Sequence, residues 1–376
     1  MAGLPRGKPE EMGIDAGRLQ TAHDLLRGWT AGPDAPVPGG AILLGRAGKV
    51  SGPEFFGRQG PEADAPPIRQ DGLFLLASIA KPVTYTAAML LVERGLLNLS
   101  DRVTRYVPGF AAHHKEDTRV LHLFTHTSGL PDMLPNNAQL RRRHAPLEEF
   151  ITGAIHDTVP LFPPGTDLKY QSMGTLVVAD IVRRITGRPI AEFLKAEIFD
   201  PLGMNSTGLG SAGLDEQRIV RVEEPEYQRG GDFGWNSTYW RQLGAPWGGL
   251  FSTPADLAVF CQMILDQGQY GGRRLLSPIT VERMTTNRLD ELPWLPEVVR
   301  RANRWGLGWR LNPWGTGDSW GDLLGPRVFG HVGATGTMMW IDPERQAFLI
   351  ILTSAIRDKN RWRFAQLSNA LSAAIV

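Results

Sequence analysis

Apolar residues recur at helical spacing near the start of the chain. Leu19, Ala22, Leu25, Leu26 and Trp29 fall on one face of a helix predicted over residues 15–30, with Asp15 placed to cap it. Two apolar runs follow, Ala41–Gly45 and Val50–Phe56, around Arg46-Ala47-Gly48-Lys49, which is a hairpin pattern. The same grammar closes the chain. Met338–Ile341 and Ala347–Thr353 flank Asp342-Pro343-Glu344-Arg345, and helical spacing then runs from Trp362 to Ile375. The two ends are therefore predicted to share one antiparallel sheet with helices packed against it. Between them, residues 81–95, 147–156, 174–186, 190–198 and 255–267 read as helices parted by Pro- and Gly-rich loops. The pattern predicts a mixed α/β (α+β) molecule. Residues 1–76 and 290–376 are expected to form a sheet domain, residues 77–289 a mainly helical domain, and the active site their junction.

Composition narrows the function. The 376 residues carry 40 Lys and Arg against 39 Asp and Glu. A balance this even argues against a dedicated nucleic-acid binder and against an acidic disordered tail. Cys261 is alone, so no intramolecular disulfide and no cysteine metal cluster are expected. No apolar run approaches the roughly 18 residues of a membrane span. The N-terminus has no apolar core of a signal peptide, so a cytoplasmic location is the expectation.

The chemistry begins at Ser78-Ile79-Ala80-Lys81, where the apolar run Leu73–Leu76 gives way to a helix. Residues three apart share a helix face, so the two side chains can meet. A serine hydroxyl becomes a nucleophile when a neighbour takes its proton, and an amine can do so if burial depresses its pKa. One S-x-x-K among 14 serines and 7 lysines is a weak sign alone. Two further strings strengthen it: Tyr170-Gln171-Ser172, and Gly330-His331-Val332-Gly333-Ala334-Thr335-Gly336-Thr337 just before the closing hairpin. S-x-x-K, a second polar triplet and a late K-T-G-type strand mark penicillin-recognising serine enzymes.

On these strings the chain resembles the serine beta-lactamase-related family, which holds class C beta-lactamases, D,D-carboxypeptidases, D-aminopeptidases and family VIII carboxylesterases. Leu123-Phe124-Thr125-His126-Thr127-Ser128-Gly129-Leu130-Pro131, Pro201-Leu202-Gly203-Met204 and Gly248-Gly249-Leu250-Phe251-Ser252-Thr253-Pro254 occur in the family's order and spacing. The resemblance implies a beta-lactamase/transpeptidase-like fold, an antiparallel sheet flanked by helices with an inserted helical lobe. It implies Ser78 as the acylated nucleophile, Lys81 as its proton acceptor and Tyr170 as a second acid/base group whose phenol Lys81 would bring below its usual pKa of about 10. The backbone N–H groups of Ser78 and Ala334 would form the oxyanion hole. Ser172, His331 and Gly333 would line the substrate site. No metal or cofactor is implied.

Three departures lean towards small acyl esters: His331 where many members carry Lys, Ser172 where many carry Asn, and the missing signal peptide. The expected function is hydrolysis of a small-molecule ester through an acyl-Ser78 intermediate, with an acceptor other than water also open. The alternatives are a beta-lactamase or D-amino-acid peptidase/amidase, and a catalytically silent binding protein. No nucleic-acid or membrane partner is expected, and the oligomeric state is left open. Trp305, Trp309, Trp314 and Trp320 crowd the approach to His331, and Trp247 is the best candidate for a pocket wall. Other patterns carry less. Gly208-Leu209-Gly210-Ser211-Ala212-Gly213 lacks the preceding strand of a dinucleotide site. His122 and His126 lack the Glu of a zinc motif. Arg141-Arg142-Arg143-His144 reads as a solvated basic loop, with steering of an anionic substrate as the alternative. Asp132, directly after the T-S-G-L-P string, falls near the expected cleft and receives no role.

Overall fold

The computed structural model describes residues 3–312 and 320–376. Its main sheet is built from both chain ends. The strands are β1 (Gly39–Arg46) and β2 (Lys49–Gly57), then, beyond a short β3 (Phe74–Leu75) and β4 (Leu250–Ser252), β5 (Arg310–Leu311), β6 (Phe329–Gly333), β7 (Thr337–Asp342) and β8 (Ala347–Thr353). The antiparallel order is β2-β1-β8-β7-β6-β5, with Ile42 opposite Ile351 and Met338 opposite both Ile351 and Val332. The opening hairpin turns at Ala47 and Gly48, both with positive φ, as a two-residue turn matched to strand twist requires. The closing hairpin is held by the Asp342 carboxylate, which accepts from the N–H groups of Glu344 and Arg345.

The sheet is covered on both faces, so its strands read as continuous apolar runs. Leu349 and Ile351 join Ile42, Leu44 and Trp340 in one core with the helices α1 (Ala16–Trp29) and Arg357–Ala373. Phe348, Ile350 and Leu352 face the other core, with Ala41, Leu43, Met339 and Ile341. Asp15 caps α1 by accepting from Arg18 N–H at 2.9 Å.

The helical segment is centred on α2 (Ala80–Glu93), buried from Ala80 to Leu91 and packed against Met173–Thr186. A helix apolar all round is a core helix. Leu147–His156 forms as expected, whereas the segment expected over 190–198 is a short α-helix, Ile190–Leu194, followed by a wider turn, Lys195–Phe199. Two expectations shift. The helix Pro254–Leu265 lies within the stretch assigned to the helical domain, yet it packs on the inner face of β1 and β8. The last helix starts at Arg357 rather than near 362, because its first turns are polar (Arg357-Asp358-Lys359-Asn360-Arg361) and show no apolar period. No helix among the described residues is long and apolar enough to cross a membrane.

Candidate active site

The run into Ser78 is fixed on two sides. Phe74 and Leu75 pair antiparallel with Ser252 and Phe251, and Leu76 N–H donates to Leu250 O. From the main sheet, the Thr335 hydroxyl donates to Leu75 O at 2.6 Å and the Thr337 hydroxyl to Leu76 O at 2.8 Å. Ala77 then takes φ +47°, a left-handed conformation that a non-glycine residue adopts only where its surroundings impose it. The chain turns sharply there, and Ser78 stands half-buried at the mouth of α2.

Gly333 makes this close approach possible. A Cβ there would lie 2.3 Å from Leu76 O and 2.2 Å from Thr337 Oγ1. The carbonyl cannot retreat without moving the Ser78 turn. Gly333→Ala is expected to cost about 1–3 kcal/mol in thermal unfolding, as overpacking does, and to lower acylation of Ser78 at the same time. An unchanged Tm and rate would mean that β6 is not held this tightly.

Lys81, in the first turn of α2, has no exposed surface. Its Nζ donates to Ser78 Oγ at 3.1 Å and to Trp247 O at 3.1 Å, and stands 4.8 Å from the centre of the Tyr170 ring. Burial lowers its pKa to about 8, with the Asp132 charge acting in the opposite sense. One turn on, the Thr84 hydroxyl donates to Pro246 O at 3.0 Å, so α2 grips the 246–247 backbone twice. Trp247 therefore serves the site through its carbonyl. Its indole is buried between Phe150 and Trp240 and is not the pocket wall expected from the sequence.

Tyr170 is half-buried before the helix Met173–Thr186. Its ring packs among His126 (4.7 Å between centroids), Trp305 (5.9 Å) and His331 (6.1 Å). The expected depression of its pKa does not occur. Burial pushes the phenol up, and the Ser78 hydroxyl within hydrogen-bonding reach offsets this only in part. Lys81 Nζ lies over the ring face, and Tyr170 stays a neutral O–H because burial disfavours the phenolate.

His331 is buried. Its Nδ1 lies 2.8 Å from Val332 O, a contact that makes Nδ1 the protonated nitrogen, while Nε2 has no hydrogen-bond partner among the described residues. Burial, then the Lys81 charge, lowers its pKa to about 3, so the imidazole is uncharged at neutral pH. Ala334 sits exposed at the end of β6, and its carbonyl accepts from Arg357 N–H at 3.0 Å. Gly333 abuts Ala77, which brings Ala334 to the neighbourhood of the Ser78 turn.

Ser172 is buried at the N-terminus of its helix. Its hydroxyl donates to Asp132 Oδ1 at 2.7 Å and its N–H to Asp132 O at 3.2 Å. Asp132 is thus part of the site, with its charge felt by both Lys81 and Tyr170. The signal in the sequence was its place directly after the T-S-G-L-P string. That string buttresses the Tyr170 loop: His126 O accepts from Lys169 N–H, His126 Nδ1 from Gln171 N–H, and Gln171 Oε1 from the Ser128 hydroxyl.

The remaining candidates separate cleanly. Trp305 reaches the site, while Trp309 packs on Phe260 and Phe329, and Trp320 joins the outer core. Trp314 lies outside the described residues. His122 accepts from Arg119 N–H at 3.1 Å and closes a helix cap. Among the described residues no group of three or more His, Cys, Asp or Glu is placed to hold a metal ion. Arg141 is not solvated as expected. It is buried over the Trp240 ring at 4.3 Å and donates to Phe233 O.

Known proteins share this fold. A family model described as Beta-lactamase matches residues 26–366. A curated protein of Escherichia coli O157:H7 named "Putative D-alanyl-D-alanine carboxypeptidase" is 27% identical over 384 residues, covering 93% of this chain and 85% of its own length. Among solved structures, a family VIII carboxylesterase superposes with a TM-score of 0.74 at 21% identity, over 95% of this chain and 98% of that one. EstCE1, described as a hydrolase with promiscuous acyltransferase activity, gives a TM-score of 0.75 at 18% identity, over 95% and 98%.

Proposed function

The chain belongs to the beta-lactamase family of hydrolases, and from that premise we propose that it cleaves carboxylic esters of small acyl groups through an acyl-Ser78 intermediate. The observation that carries the ester reading is His331. The strand beside the nucleophile presents a buried, uncharged imidazole where a fixed cation would hold the carboxylate of a lactam or peptide.

In this reading, neutral Lys81 takes the Ser78 proton as Oγ attacks the ester carbonyl. The N–H groups of Ser78 and Ala334 receive the oxyanion. The tetrahedral intermediate collapses as the Tyr170 O–H protonates the leaving alkoxide, and Lys81 returns a proton to the phenol. Water then attacks the acyl carbon by the same route and releases the acid. An alcohol in the place of water would give acyl transfer with the same balance of protons.

The test compares p-nitrophenyl butyrate with benzylpenicillin as substrates of the wild type and of His331→Lys. The wild type is expected to favour the ester in kcat/KM, and the lysine variant to gain on the penicillin. A wild type that turns over the penicillin but not the ester overturns the reading.

A further inference from the structure

We propose that Arg141 and Trp240 form a carboxylate-binding subsite at the far end of the acyl pocket, so that the favoured substrates are half-esters of dicarboxylic acids; this rests on the ester reading above. Arg141 lies on the short helix Asn137–Arg142 and Trp240 on Thr238–Leu243. Both are more than nine-tenths buried, at 6% and 4% exposure. The guanidinium carbon stands 4.3 Å from the centre of the indole. Nη2 of Arg141 donates to Phe233 O at 2.7 Å, whereas its Nε and Trp240 Nε1 are buried with no hydrogen-bond partner among the described residues. No carboxylate among the described residues makes an ion pair with Arg141. Glu224, whose charge reaches it, is held elsewhere, its Oε1 accepting from Asn236 N–H at 2.8 Å. The faces of Trp240 and Phe233 offset part of the cost of burying the cation. They leave two adjacent N–H donors without an acceptor, a costly arrangement unless something completes it. A carboxylate brings two anionic oxygens, one for each N–H.

The place of the pair assigns it to the acyl side. Gly248 lies between Trp240 and the nucleophile turn. A Cβ there would be 3.9 Å from Trp240 Cζ2 and 3.9 Å from Ala77 Cα, ordinary contact distances that leave room for a methyl group. Trp247 packs its ring 6.3 Å from that of Trp240 and gives its carbonyl to Lys81 Nζ at 3.1 Å. Lys81 divides the cleft, because its Nζ also faces the Tyr170 ring at 4.8 Å, and the Tyr170 O–H serves the leaving alkoxide in the mechanism above. The leaving group thus lies towards Tyr170, Trp305 and His331, and the acyl chain towards Gly248 and Trp240. The contacts from Ala77 through Gly248 and Trp240 to the guanidinium span the reach of an acyl chain of several carbons. An uncharged His331 on one side and a buried cation on the other put the substrate's negative charge on the acid and not on the alcohol.

The experiment uses a matched pair, monobenzyl glutarate and benzyl valerate, in which a methyl replaces the distal carboxylate, with released benzyl alcohol read by chromatography. The wild type is expected to prefer the glutarate by about tenfold or more in kcat/KM, the worth of a charge-assisted contact. Arg141→Met keeps the length of the side chain and removes its charge, and is expected to erase that preference. Trp240→Phe keeps a ring face and removes one donor, and is expected to retain part of it. A mere brace for the 224–240 loop would lower Tm and slow both esters alike, and a buried water on the two N–H groups would leave the pair indistinguishable. A wild type that handles the two esters alike therefore overturns the subsite, as does a preference that survives both variants. Calorimetric binding to Ser78→Ala reads the subsite without turnover, and the glutarate should bind about tenfold more tightly than the valerate. Equal binding there also overturns it. If Arg141→Met does not fold, Trp240→Phe and the binding comparison carry the test. If neither ester is turned over but the binding preference is present, the subsite stands and the ester reading falls.

Discussion

Replacing Ser78 by alanine is expected to lower turnover of p-nitrophenyl butyrate by about 10⁴-fold or more while leaving the protein folded, as loss of the nucleophile does in other serine hydrolases. The fold should survive because Ser78 Oγ is not a structural brace. The turn it sits on is held by the Leu76 N–H bond to Leu250 O and by the Thr335 and Thr337 hydroxyls, none of which involves the serine side chain. Mass spectrometry of the wild type mixed with substrate should show one acyl group, and the alanine variant none. A variant that keeps more than about a hundredth of the activity would place the nucleophile elsewhere and remove the acyl-enzyme reading. A wild type that is never acylated by an ester, a lactam or an amide would make the protein a binding scaffold on this fold.

What the sequence makes legible is what short-range spacing determines. Ser78 and Lys81 are three residues apart at the start of a helix, and the two hairpins are written in apolar runs around short polar turns, so each can be read without knowing what packs against it. Contacts made by folding are less visible. Asp132 and Ser172 are forty residues apart and meet only when two loops converge. Trp247 contributes its carbonyl, which its side chain does not advertise. Among the tryptophans near His331, spacing cannot separate Trp305, at the site, from Trp309, in the core. The helix Pro254–Leu265 is apolar over most of its surface, so its pattern predicts burial and not that a sheet is the neighbour. The rise in the Tyr170 pKa was hidden for a related reason: proximity to Lys81 was foreseeable, but not the burial of the phenol.

Lys81 is expected to show opposite effects on activity and stability. Its ammonium is wholly buried, with a pKa lowered from 10.5 to about 8 chiefly by that burial. Because the unprotonated amine is the base, kcat/KM should climb about tenfold between pH 7 and a plateau above pH 8. Tyr170, pushed up from its usual value, stays protonated through this range and adds no falling limb there. The linkage to stability runs the other way. The unfolded chain holds the Lys81 proton up to about pH 10.5 and the native protein only to about pH 8. Burying the charge therefore costs about 3 kcal/mol in full below pH 8, and the cost disappears as pH rises towards 10.5. Lys81→Met keeps the volume and removes the charge. It is expected to lose activity by about 10²-fold or more, to lose the rise through pH 8, and to gain about 1–2 kcal/mol of stability at pH 7 after the loss of the bond to Trp247 O is set against the relief. Urea unfolding alongside a pH–rate profile reads both. A variant that is less active but also less stable would show that the Lys81 bonds to Ser78 and Trp247 outweigh the strain of its burial. A variant with unchanged activity would assign the proton transfer to another group.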